Sequence, residues 1–349
     1  MGIRGEVSRG DTTRRLVRSA AAGFVTAGVL LGLGWAPAAS AGPGGPPLRP
    51  RPPVVCGSTV TKNLTLRADL DCTGQTGTAV LVVGRDHVHI DLNGFSIRNT
   101  RGFTHVVHIE GRKGVDVRDG SIEGGTEYAV VVKDSRNTRL HRLEVRGSGV
   151  PGSDFGAAVE VDGARDLDLD RVTVQSNNAD GAHLHAASDV RIKRSVFRAN
   201  GGDGLWVNRG TTGLRIDHSE FTGSLVDDGF DAIDSGTIDI RNSTFSGNPG
   251  RGIELDRIGS LRLHSVTLRT NGGEGLSLDT IAAMHLHRVT AASNGGDGIR
   301  VANNTGPVKR YRIEHSTSSA NGGDGFDVQF PVRSRSNRAF GNGGSNIVP

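Results

Sequence analysis

Asn294-Gly295-Gly296-Asp297-Gly298-Ile299-Arg300-Val301 is a glycine-rich turn followed by an apolar–polar–apolar triplet, and the chain repeats it. Near copies run from Asn200 to Val207, Asn271 to Leu278 and Asn321 to Val328. Looser ones lie at Asn178 to Leu184, Ser224 to Ala232 and Asn248 to Leu255. Their last glycines stand at Gly181, Gly204, Gly229, Gly252, Gly275, Gly298 and Gly325, spaced 23, 25, 23, 23, 23 and 27 residues apart. A nearly fixed period in the twenties is the mark of a solenoid, whose repeats bury their apolar faces only by stacking on one another.

The periodicity inside each repeat says what is stacked. After the last glycine the chain reads in-out-in, as in Leu205-Trp206-Val207, Ile253-Glu254-Leu255 and Leu276-Ser277-Leu278. That is the period-two signature of a strand with one buried face. A second alternating pair follows at Leu167/Leu169, Val190/Ile192, Leu214/Ile216, Ile238/Ile240 and Leu261/Leu263. A third apolar position recurs at Val172, Val196, Phe221, Phe245 and Val266. Helical spacing is not sustained in the repeats, and the Asn-flanked leucine consensus of leucine-rich repeats is missing. The expectation is an all-β chain, a right-handed parallel β-helix of about eleven coils stacked at roughly 4.8 Å. Each Asn-Gly-Gly-Asp-Gly is then a turn between strands, with Gly and Asn supplying positive φ and stacked Asn side chains bonding to one another.

Upstream of the repeats, residues 1–41 read as a secretory signal. Arg4, Arg9, Arg14, Arg15 and Arg18 form a basic start, Ala20 to Trp35 is apolar, and Ala39-Ser40-Ala41 is a small-residue cleavage site. The apolar run is short and Gly-rich for a membrane anchor, so the mature chain is expected to be secreted without a stable membrane span. Thr13-Arg14-Arg15 hints at a twin-arginine route, but Arg18 breaks the apolar pair that should follow. The leader carries five of the 41 Lys and Arg and two of the 37 Asp and Glu (Glu6, Asp11), leaving 36 against 35. A near-neutral mature chain with 4% aromatics and no basic stripe argues against a nucleic-acid partner.

Residues 42–53 are Pro/Gly-rich and read as a linker to a single β-helix domain, 54–349. The only cysteines, Cys56 and Cys72, follow it. In an exported chain they are expected to pair, as a staple in an N-terminal cap over the open end of the first coil. At the other end, Asn342-Gly343-Gly344 begins a turn that the sequence does not complete, so a frayed or capped end is expected there.

Cys56-Gly57 through Cys72, Asp91-Leu92-Asn93-Gly94-Phe95-Ser96-Ile97 and the repeats together resemble the right-handed parallel β-helix, pectate-lyase-like superfamily of secreted bacterial proteins. The resemblance covers about residues 54 to 345 and implies a fold more firmly than an activity, since that superfamily holds lyases, hydrolases, epimerases and non-catalytic binders.

Stacking should align outward residues into columns. One column is expected to run Ala158, His183, Trp206, Asp231, Glu254, Ser277, Arg300, Asp327. A second should run Glu160, His185, Asn208, Ile233, Asp256, Asp279, Ala302, Gln329. The middle coils concentrate chemistry, with Trp206 as a platform for a sugar ring and His185 and Asp256 as further substrate-binding residues. Asp227-Asp228-Gly229-Phe230-Asp231 resembles the calcium-site stretch of family-nine polysaccharide lyases, which implies Ca²⁺ held by Asp203, Asp227, Asp228 and Asp231. Four converging carboxylates are intolerable without a cation, and such an ion would bridge a uronate carboxylate. The catalytic Lys of that family has no counterpart: Glu254 occupies its position, leaving Glu254, Arg251 and His183 as catalytic candidates. The expected partner is therefore an acidic polysaccharide. Two other readings stand beside it: a non-catalytic adhesin or structural spacer, favoured by the lack of long loops, and a glycoside hydrolase using Asp231 and Glu254.

Overall fold

The computed structural model describes residues 54–150, 156–304 and 307–349. The expected leader and linker, 1–41 and 42–53, lie outside the described residues. The chain winds into three parallel sheets, and strand after strand pairs with the equivalent strand one coil on. The first sheet runs from Ser58–Val60 and Gly77–Val83 through Ala157–Asp162, Asp180–His185 and Leu205–Asn208. It continues with the starts of Phe230–Arg241 and Ile253–His264, then Leu276–Asp279, Ile299–Ala302 and Phe326–Val328. The coils number about 12, one more than expected, because the cap strand Ser58–Val60 already pairs in the stack. Among the described residues the only helical piece is a 3-10 turn, Val308–Arg310, and no helix is long and apolar enough to cross a membrane.

The core fills the space between the sheets. In the third sheet, which includes Thr173–Gln175, Val196–Arg198, Glu220–Thr222, Thr244–Ser246 and Thr267–Arg269, the side chains of Val174, Phe197, Phe221, Phe245 and Leu268 fall in register. The three phenyl rings stack at 4.7 and 4.8 Å, the spacing of the coils themselves. Val172, Val196 and Val266, expected in one column, belong to two: Val196 pairs with Thr173, one residue from the phenylalanines.

A buried asparagine ladder lines the turn before the first sheet. Asn248, Asn271 and Asn294 each donate their side-chain amide to the Asn one coil on, at 2.9 to 3.0 Å, and to a backbone carbonyl. Asn346 closes the ladder by accepting from the backbone and side-chain amides of Asn342. The turn glycines serve a different need from the one expected. Positive φ falls on the residue before the Asn, at Ala199, Thr270, Ser293 and Ala320, and Gly201 and Gly295 are not among the left-handed residues. A Cβ on Gly201 would stand 2.2 Å from the Asn178 carbonyl oxygen, and one on Gly295 2.1 Å from that of Gly272. Close approach of successive coils excludes a side chain there. Cys56 and Cys72 are joined as expected, with Cα atoms 5.7 Å apart.

Candidate functional site

The register of the first sheet fixes the outward column. Glu160, His183, Trp206, Asp231, Glu254, Ser277, Arg300 and Asp327 pair successively across neighbouring coils. Glu160 therefore lies under His183 where Ala158 was expected, and Asp162 lies under His185. The reason is local. Ala157, Ala158 and Val159 are buried in succession, so alternation begins two residues later in this coil than in the next.

A second column forms on the adjoining turn. The Asp180 carboxylate accepts the Asp203 N–H at 2.7 Å, that of Asp203 accepts the Asp228 N–H at 2.9 Å, and Asp228 accepts the Arg251 N–H. Each carboxylate thus spends one oxygen on the backbone of the next coil. The Ser224–Asp228 turn is one residue longer than Asn200–Asp203, and its added length brings Asp227 out beside Asp228. Asp227 is exposed, and Leu225 and Val226 project before it.

Asp203, Asp227 and Asp228 each offer a carboxylate oxygen within 4.8 Å of the others. Oxygens bound to one calcium at 2.3–2.6 Å lie within about 5 Å of each other, so the set fits that ion. Asp231, expected as a fourth ligand, is not in this group; it stands on the sheet between Trp206 and Glu254. The cluster is electrostatically stressed. Burial, then the carboxylates of Asp180, Asp227, Asp231 and Asp228, push Asp203 up to about 10. Burial, reinforced by Asp227 and Glu254, raises Asp228 to about 7, against the opposing Arg251 N–H. Asp231 rises to about 7 through burial and the neighbouring Glu254 and Asp227.

The expected bases do not fit their roles. Arg251 donates to Glu254 and, at 2.7 Å, to Glu274. Burial opposes its charge, but those carboxylates hold the guanidinium above its usual range, so it cannot accept a proton. Glu254 is thereby committed to an ion pair. His183 is 6% exposed, with Nε2 2.5 Å from Asp180 and Nδ1 3.2 Å from Glu160. Burial works against its charge, yet the two carboxylates outweigh it and lift the imidazole to about 9, so it is a cation at neutral pH. His185, expected to bind substrate, is 7% exposed and bonds through Nδ1 to Asn208 Oδ1. Both rings lie edge-on to Trp206, with centroids 4.9 and 5.2 Å from its own. The indole is half-buried over them and keeps an outward share. Asp256 is ion-paired to Arg257, beyond the patch centre.

What the sequence did not reveal is Asp180 as the anchor of both His183 and the turn ladder, and the bringing together of His264 and His287, whose Nδ1 atoms approach to 3.1 Å. Only the register makes them neighbours.

These features define a coiled, open-faced parallel-strand protein with an acidic patch beside an outward indole on its first sheet. The chain matches the family model of the right-handed β-helix region over residues 57–221 and 157–306, and it belongs to that family. No curated protein matches it in sequence. Among solved structures it is similar to the A-module of mannuronan C-5 epimerase AlgE4 of Azotobacter vinelandii, with 14% identity over 83% of this chain and 91% of that one, at a TM-score of 0.47. Pectate lyase Pel9A matches at 12% identity over 77% of this chain and 72% of that one, TM-score 0.45. PfbA, a surface adhesin of Streptococcus pneumoniae, matches at 10% identity over 82% and 81%, TM-score 0.40.

Proposed function

We propose that the first sheet around Trp206 binds an acidic, uronate-containing polysaccharide, with calcium at Asp203, Asp227 and Asp228 linking protein to sugar carboxylate. The convergence of those three carboxylates beside an outward indole carries this reading. Calcium there would neutralise the trio and engage a uronate carboxylate, polarising the carbon next to it. Trp206 offers a flat apolar surface for a sugar ring, and the open face suits a long chain. Export to an oxidising compartment is part of the same proposal, supported by the basic–apolar leader pattern and the Cys56–Cys72 bridge.

Turnover is a second reading, favoured by Asp231. It stands in the column between the indole and Glu254, and burial tunes it towards the neutral range where proton transfer is efficient. The pairing of Arg251 and His183 with carboxylates leaves Asp231 as the proton-transfer group of the patch.

The test is retention on immobilised polygalacturonate and alginate with calcium or with chelator. The expected result is calcium-dependent retention, lost in Asp227→Asn, an exposed position that no ladder bond uses. Retention that ignores calcium, or none on either polymer, sinks the proposal. Ultraviolet absorbance from unsaturated uronates, absent in Asp231→Asn while retention persists, would establish turnover.

A further inference from the structure

Next to the acidic trio lies a second cluster of different chemistry. Glu160, His183 and His185 each offer a ligand atom within 4.8 Å of the other two. Glu160 Oε2 is 3.2 Å from His183 Nδ1, and Oε1 is 3.3 Å from His185 Nε2. Ligands on a tetrahedral zinc at 2.0–2.1 Å stand roughly 3.3 Å apart, which is the distance of each imidazole nitrogen from its nearer Glu160 oxygen.

The outer nitrogens supply an independent observation. His183 Nε2 faces Asp180 Oδ2 and His185 Nδ1 faces Asn208 Oδ1, both at 2.5 Å and both acceptors. Each outer nitrogen thus has an oxygen to receive its N–H, and the inner nitrogen of each ring faces the Glu160 carboxylate. Without a metal a proton joins His183 to Glu160, and a divalent cation among the three groups would displace it. Carboxylate and carbonyl partners on the far ring nitrogens are also what orients metal-ligating histidines. Both rings are nearly buried beneath Trp206, so the cluster is a built, pre-positioned site rather than a solvated face.

We propose that Glu160, His183 and His185 bind one divalent transition-metal ion of the zinc class, with Asp180 and Asn208 as the groups that hold the rings in place. Two nitrogens and one carboxylate suit such an ion and are poor ligands for calcium, which wants oxygen throughout. The site spans the coils of Ala157–Asp162 and Asp180–His185, and the ion would fix the floor on which Trp206 rests. It is independent of the calcium proposal, because it shares no ligand with Asp203, Asp227 and Asp228.

The experiment uses the full chain, stripped with chelator and titrated with Co²⁺, followed by visible absorption and by Trp206 emission. One equivalent should produce an intense tetrahedral-type visible spectrum and quench the indole, and excess Ca²⁺ should leave both unchanged. His185→Ala should abolish the spectrum. Asn208→Ala, which leaves all three ligands in place, should weaken the affinity roughly 10–100-fold. His264→Ala is the control, since His264 and His287 are the other close imidazole pair. No uptake by the unmodified chain overturns the proposal. So does uptake that survives in both folded His185→Ala and Asn208→Ala, or that disappears in His264→Ala.

Discussion

At the scale of single residues, burial decides which charges this surface can carry. His105 packs against His108 and Tyr128, with ring centroids 5.3 and 5.4 Å away, and its Nδ1 is buried without a partner. Burial, helped by the charge of His108, pulls its pKa from 6.5 down to about 4. The folded state thus refuses a proton that the unfolded chain takes up. Between about pH 6.5 and 4 the unfolded state binds more protons, so this residue's contribution to stability is intact above pH 6.5 and eroded as the pH falls. His105→Gln should therefore show a smaller drop in denaturant midpoint between pH 7 and pH 4.5 than the unmodified chain. The difference should be about 1–2 kcal/mol once solvent screening is allowed for. An equal drop in both proteins would assign the acid sensitivity elsewhere. His183 behaves in the opposite sense because it has what His105 lacks, a carboxylate on each ring nitrogen.

At the scale of the element, the repeating unit is a strand triplet joined through a turn whose polar side chain is swallowed by the core. Asn271 is 2% exposed; its Oδ1 accepts from the backbone and side chain of Asn248, and its amide serves Phe245 and Asn294. Asn271→Ala would orphan several buried groups at once, and a loss of about 2–4 kcal/mol is expected from chemical denaturation. Asn271→Ser should cost less, because the stack already accommodates Ser224, which hydrogen-bonds Asn248 Oδ1 through its backbone and Asp228 through its hydroxyl. Equal losses for the two variants would mean that the ladder acts by packing alone. This unit was plain in the sequence, since a 23-residue recurrence of turn and alternating triplet admits few other folds. The partners within the site were less so. Anchoring every triplet to its glycine misplaced Glu160 by two residues, since a run of buried Ala157, Ala158 and Val159 hides the alternation. The irregular interval of 25 residues before Gly229 was the visible trace of the longer turn that exposes Asp227. Nothing in composition or spacing shows which carboxylates are spent on backbone N–H groups or on guanidinium. That depends on contacts made one coil away, so Arg251 and His183 looked freer than they are.

At the scale of the whole molecule, each coil touches chiefly the coils on either side, and stability is a chain of neighbour interfaces rather than one cooperative core. The coils differ in what they bury. The phenylalanine stack of Phe197, Phe221 and Phe245 is fully buried beside the acidic patch, whereas Arg333–Arg335 is exposed along its length. At the other end the Cys56–Cys72 bridge closes a 16-residue separation, worth about 3 kcal/mol in the chain-entropy view. Because interfaces act between neighbours, that contribution should stay local. Cys56→Ser with Cys72→Ser should speed amide exchange in Ser58–Val60 and Gly77–Val83, while leaving that of Phe221 and Phe245 and the calcium-dependent polymer retention unchanged. Exchange in Arg333–Arg335 should be fast in both proteins. A uniform rise in exchange along the stack would instead make the solenoid a single cooperative unit, and the local character of its sites would go with it.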